Sequence, residues 1–261
     1  MKKILLSTTV LVASAGFAVA EISISGTAAM DVDYSDVATS KKTTVSGSID
    51  LNWDASFAAD NGMTMAVHMD NVATGDADVK LTGDFGSVTF GTPSNAEGTV
   101  SALGAGSVDN NAEGYLGGTT DSRWDYTMDG ISIAVSGNSN GENSAASLKY
   151  TSGTLAIAVA HNSLTNASSW NGASVSTTLG AMTVKAMVAN KNGAASNGIG
   201  ATFDAATLGL GTVTLAFAGG ESQTNSWGIN MKKDMGGLTL NANWVDAQGS
   251  NSAQAGITMG F

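Results

Sequence analysis

The chain has 261 residues, with 33 Gly, 1 Pro and no Cys, and charged residues make up only 13% of it, about half the ~25% usual in soluble domains. The absence of Cys excludes a disulfide scaffold, thiol catalysis and a Cys-ligated zinc site. Acidic groups outnumber basic ones 22 to 11, which argues against a nucleic-acid partner. A hydrophobic share of 43% is too high for a disordered chain, and the glycines follow no collagen-like period.

Residues 1–20 read as a secretory signal peptide. Lys2 and Lys3 precede an apolar run from Ile4 to Val12, and Ala18-Val19-Ala20 supplies a small-x-small cleavage site. A membrane anchor is disfavoured, because Ser7, Thr8 and Thr9 interrupt a short apolar core. Cleavage after Ala20 leaves a single domain over 21–261. No uncharged apolar run in it reaches the ~18 residues of a spanning helix.

From Glu21 onward the dominant period is two. Ile22, Ile24, Gly26, Ala28, Met30 and Val32 share one face, against Ser23, Ser25, Thr27, Asp31 and Asp33. Val45, Gly47, Ile49, Leu51 and Trp53 repeat the pattern against Ser46, Ser48, Asp50, Asn52 and Asp54. Successive side chains of a strand point to opposite faces, whereas a helix would mix the two sets. The alternation predicts sixteen strands, over 22–34, 43–57, 61–71, 77–83, 86–92, 120–129, 131–138, 144–151, 153–161, 170–179, 181–190, 197–206, 210–219, 224–232, 236–246 and 252–261. Most are about the ~9–11 residues of a tilted membrane strand. A count of fourteen stays open as the alternative to sixteen, and merging the two short strands near 77–92 would change the count.

Two kinds of connection alternate between these strands. One set is tight and Gly-rich, as at Asp60-Asn61-Gly62, Asp129-Gly130, Ser152-Gly153, Gly180 and Leu208-Gly209. The other reads as longer and polar: 35–42, 72–76, 139–143, 162–169, 191–196, 220–223 and 247–251. Short turns at one end and long loops at the other are the arrangement of an outer-membrane barrel. The polar faces carry Ser, Thr, Asn and Asp rather than the Lys/Glu mixture of a soluble surface, so the apolar faces are assigned to lipid. Tyr34, Trp227 and Trp244 at one end, with Phe57, Tyr150 and Phe261 at the other, fit two aromatic girdles. Ala255, Ile257, Met259 and Phe261 alternate up to the last residue, which has the form of a C-terminal signal read by the outer-membrane insertion machinery.

Phe85-Gly86-Ser87-Val88-Thr89-Phe90-Gly91, one long loop, then Ser122-Arg123-Trp124-Asp125-Tyr126 resembles the general porins of Gram-negative bacteria. The opening Glu21-Ile22-Ser23-Ile24-Ser25-Gly26 and the compact size resemble their alphaproteobacterial branch. The resemblance spans essentially the whole mature chain. It implies a 16-stranded antiparallel transmembrane β-barrel whose long third outer loop folds into the pore, a water-filled channel for passive diffusion of small hydrophilic solutes and ions, and a homotrimer in outer-membrane lipid. No enzyme activity and no cofactor are implied.

The long loop is 93–119, opened by the one Pro of the chain, where a strand ladder must stop. Loops of that length without secondary structure are usually functional or disordered. Its charges are Glu97, Asp109 and Glu113, with no Lys or Arg. Face parity adds Asp31, Asp33, Asp50, Asp54, Asp70 and Asp125 as acidic pore-lining candidates, and Lys80, Arg123, Lys149 and Lys185 as basic ones. In similar porins a basic ladder faces an acidic loop. Here the second strand carries no Arg, which favours cations, since pore selectivity follows diameter and lining charge.

Two other readings remain. A secreted β-rich adhesin would suit the Gly, Asn, Ser and Thr content, but neither a fixed repeat nor Ca²⁺-binding nonapeptides occur. A membrane-barrel hydrolase would need His68 or His161 beside Asp70 or Ser163, and neither GxSxG nor HExxH is present. No metal site is read from the spacing.

Overall fold

The computed structural model describes residues 20–37, 40–70, 76–101, 105, 120–164, 169–220, 223–247 and 250–261. The strands are β1 (Ala20–Val37), β2 (Ser40–Ala58), β3 (Thr64–Asp70), β4 (Asp76–Gly83), β5 (Gly86–Phe90), β6 (Ser122–Met128), β7 (Ile131–Gly137) and β8 (Asn143–Ser152) in the first half. β9 (Leu155–Leu164), β10 (Ser169–Leu179), β11 (Met182–Lys191), β12 (Ala194–Asp204), β13 (Thr212–Gly220), β14 (Gln223–Asp234), β15 (Leu238–Ala247) and β16 (Ser250–Gly260) complete it. They form one closed barrel of sequential antiparallel neighbours, sealed where β1 pairs with β16. β4 and β5 stay separate, joined at the Gly83↔Gly86 pair, so the count is sixteen.

Period-two patterning puts the large apolar side chains on one surface. Ile49 is 72% exposed, Val45 70% and Val188 60%, while on the opposite face of β9 and β11 Ala158, Ala160, Met187 and Ala189 are buried. At the seam, Gly26 N–H donates to the Phe261 carbonyl at 2.9 Å and Phe261 N–H donates back at 3.0 Å. The terminal residue therefore extends the ladder that closes the barrel.

The expected contrast in connection length is mostly absent. β1 and β2 pair out to Val37↔Ser40, β11 and β12 to Lys191↔Ala194, β13 and β14 to Gly220↔Gln223, and β15 and β16 to Ala247↔Ser250. The described residues of the polar stretches read as loops at 35–42, 191–196, 220–223 and 247–251 are thus mostly strand. Strand ends that need not meet lipid lose the apolar alternation while keeping their backbone pairing. Asn192 and Gly193 have φ of 52° and 93°, as a two-residue type I′ hairpin requires. Conversely, the turn read as Leu208-Gly209 is wider, with a 3-10 turn at Ala206–Leu208 between β12 and β13. Strand β12 accordingly spans 194–204 rather than 197–206. The one long connection that survives is that between β5 and β6. Residues 1–19, within the expected signal peptide, lie outside the described residues.

Candidate functional site: the barrel interior and its inserted segment

The segment after β5 begins with Gly91, whose φ of 128° admits little but glycine. A Cβ there would also sit on the Ala77 carbonyl oxygen. Thr92 N–H donates to Asp78 Oδ1 at 2.6 Å, so the chain is turned away from the wall by β4. Asp78 shares the parity of Lys80, and its part in this turn was not anticipated from the sequence.

The path of the next residues settles which surface is interior. Arg123 on β6 donates through Nη1 to the carbonyl oxygens of Ser94 and Asn95, at 2.9 and 3.2 Å. Ala105 packs with Ala216 and Ala218 of β13 and Val245 of β15. Along the wall, β6 to β13 is seven strand intervals, about 44 Å at a tilt of ~40°. The stretch from 94 to 105 contains a 3-10 turn at Ala96–Thr99 and reaches at most about 33 Å. Only a chord through the barrel connects the two ends, so the face that the segment touches is the lumen face.

That contact is a built one. Arg123 is held by Asp125, with Nε 3.0 Å from both carboxylate oxygens and Nη2 2.8 Å from Oδ1. The guanidinium thus satisfies a wall carboxylate while capping the loop's first carbonyls. Ala96 N–H donates to Ser136 Oγ at 2.8 Å, and Thr99 and Ser147 share a hydroxyl hydrogen bond of 3.0 Å. Asn143 Nδ2 donates to Asn95 Oδ1 at 3.2 Å. Asn162 Nδ2 donates to Glu97 Oε1 at 2.7 Å and to Asn143 Oδ1 at 3.1 Å. Lys185 Nζ donates to Ser101 Oγ. Val100 fills an apolar patch with Trp170, Met187, Ala158, Ala160 and Ala189.

Glu97 is therefore not a water-facing loop charge. It is 0% exposed, and its carboxylate ties the segment to β9. A loop acid next to small residues looks solvated in sequence; burial follows only because Asn162 waits on the wall. Trp170, Asn143, Asn162 and Ser136 belong to the site and were missed for the same reason. Asp109 and Glu113 lie outside the described residues.

The other pore-lining candidates named from the sequence divide between β1–β4 and β6–β11. Asp31 and Asp33 are on β1, Asp50 and Asp54 on β2, and Asp70 on β3. His68 Nδ1 lies 2.6 Å from Asp54 Oδ1, so this histidine is a partner of a wall acid. Lys80, on β4, pairs in register with Ala66 and Thr89. Arg123, Asp125, Lys149 and Lys185, on β6, β8 and β11, lie on the side that carries the inserted segment. His161, by contrast, has the parity of exposed Ile157 and Val159 and meets Asn171 Oδ1 at 2.8 Å. The two histidines thus sit on opposite surfaces, and no catalytic arrangement joins them. Among the described residues no group of three or more His, Asp or Glu is placed to hold a metal.

At the C-terminus, Ala255, Ile257 and Met259 are on the exposed face of β16, and Phe261, 60% exposed, follows them. Trp227 and Trp244 meet edge to face at 4.5 Å at the barrel end opposite Phe57 and Phe261.

No curated protein sequence matches the chain. Among solved structures, a porin matches with a TM-score of 0.74 at 18% identity, over 92% of this chain and 100% of that one. A mutant of Rh. blastica porin matches with 0.70 at 14% identity, again over 92% and 100%. Another mutant of that porin gives 0.69 at 15%, with the same shares. These likenesses agree with the sixteen-stranded barrel. The model of the family described as Gram-negative porin matches residues 7–260; the chain belongs to the Gram-negative porin family.

Proposed function

We propose that this porin forms a water-filled, cation-preferring channel for passive diffusion of small hydrophilic solutes and ions. A sixteen-stranded barrel is too wide for side chains to fill, so its aperture is set by what crosses it. The observation that carries the charge preference is the division of the lumen face. The basic side chains Arg123 and Lys185 are engaged by Asp125, Ser94, Asn95 and Ser101. The sector from β1 to β3 presents Asp31, Asp33, Asp50, Asp54 and Asp70, against His68, which meets Asp54, and Lys42, which pairs with Ser35 near the end of β2. Water passing between the inserted segment and that sector meets mainly carboxylates, which favour cations.

The 1–20 segment is proposed to direct export and to be removed. The alternating end from Ala255 to Phe261 would then be read by the insertion machinery. A homotrimer fits the uneven wall. Strands β3 to β7 have only five to eight residues, against 18 and 19 in β1 and β2. That is below the ~9–11 needed to cross lipid. Neighbouring copies would shield the loops of that low wall from hydrocarbon.

Purified protein in a planar bilayer tests the reading. Under a KCl gradient the reversal potential should have the sign of K⁺ preference, and it should shrink when Asp31, Asp33, Asp50 and Asp54 are replaced by Asn together. An anion-selective potential would overturn it. The mass of the detergent-solubilised particle reads the subunit number.

A further inference from the structure

Rows of paired residues wind around the lumen face. One runs Asp33, Gln254, Asn243, Asn230 across β1, β16, β15 and β14. The row two residues away runs Asp31, Gly256, Asn241, Lys232 across the same strands. Gly256 leaves a gap in the middle of that second row, and a Cβ there would collide with Asp31 Oδ1. The Asp31 carboxylate therefore lies over the glycine, between β1 and Asn241. Above these two rows is a cavity of about 500 Å³, lined by Asp31, Asp33, Asn230, Asn241, Asn243 and Gln254 among others. Its size is within the ~300–1,000 Å³ of small-molecule sites.

We infer that this amide- and carboxylate-lined hollow is a binding subsite for a neutral polyhydroxylated solute, a sugar, on its way through the channel. The inference rests on the channel reading above and adds a solute class to it. Asn243 Nδ2 donates to Gln254 Oε1 at 3.0 Å. That bond orients both amides and leaves the Asn243 carbonyl as an acceptor and the Gln254 NH₂ as a donor toward the cavity. A sugar hydroxyl both donates and accepts, so adjacent hydroxyls can use the amide pair and the flanking carboxylates together. An anion would be repelled by Asp31 and Asp33. A simple cation would make no use of the amide donors. The lining also includes Tyr34, Ser35 and Ser252, and conduction requires that a solute bound there also leave, so binding is weak.

The test uses the full barrel in a planar bilayer, with D-glucose as probe and a polyethylene glycol of similar size as control. Glucose should reduce the KCl conductance saturably, with excess current noise, whereas the glycol should reduce it in proportion to concentration. Asn243→Leu with Gln254→Leu should weaken the glucose midpoint about tenfold, the equivalent of one or two hydrogen bonds, and leave the glycol effect alone. Gly256→Asn, whose Cβ would displace the Asp31 carboxylate from over this position, should weaken it as well. A linear glucose effect equal to that of the glycol, or a midpoint unmoved in both variants, overturns the subsite. Loss of all KCl conductance in the unaltered protein would instead overturn the channel reading itself.

Discussion

The buried hydrogen bonds between the inserted segment and β9 make Asn162→Ala the most informative single substitution. Asn162 is 0% exposed. It donates to the Glu97 carboxylate at 2.7 Å and to Asn143 Oδ1 at 3.1 Å. A hydrogen bond to a charged group contributes about 1.5–3 kcal/mol and a neutral one about 1 kcal/mol. Truncation should therefore weaken docking of the segment by about 3 kcal/mol, on the order of a hundredfold in the docked-to-undocked ratio. The β9 backbone ladder is untouched, so the barrel should still form, as judged by heat-modifiable migration on a gel. Single-channel recordings in KCl should then show excursions to a larger conductance that the unaltered protein lacks. Asn143→Ala, which loses a bond to Asn95 and one from Asn162, should show a milder form. A correctly folded Asn162→Ala protein with unchanged conductance and unchanged noise would refute the idea that this network holds the aperture.

At the seam, Gly26→Ala would place a Cβ 2.5 Å from the Asp50 carbonyl oxygen and 2.8 Å from Phe261 Cζ. The overlap should cost about 1–3 kcal/mol and lower the unfolding temperature of the refolded barrel in detergent; an unchanged temperature would show that the seam absorbs the methyl group without strain. At the rim, hydrogen bonds from the Ser139 hydroxyl and N–H hold the Asp121 carboxyl below the usual carboxylate range. A lowered folded pKa means that the interaction contributes above the unfolded carboxylate pKa and is lost as pH falls through the folded value. Hydrogen exchange of the hairpin between β7 and β8 should accelerate over that acid range, and Asp121→Asn should remove the pH dependence.

The register of the barrel shows what was legible in advance. Period two is a local property of the chain, so the sixteen strands and their two faces could be read from Ile22 to Phe261 without any partner in view. The loop after β5 was visible too, because Pro93 and the loss of alternation are local signals. Connection lengths were less so. Pairing of β11 with β12 continues to Lys191↔Ala194 through residues with no apolar alternation, and only a partner strand reveals it.

Sequence by itself determined that this chain alternates, closes with an even number of strands and carries one long acidic insertion, because side-chain direction in a strand repeats every two residues whatever lies around it. Tertiary structure alone decided the fate of individual charges. Glu97 became a buried tether because Asn162, 65 positions along the chain, donates to it from the β9 wall. Arg123 was drawn into a clamp with Asp125 and the start of the loop, away from the β1–β3 carboxylates. Whether a charged group meets water or another side chain depends on distances between strands remote in sequence, and those exist only once the cylinder has closed.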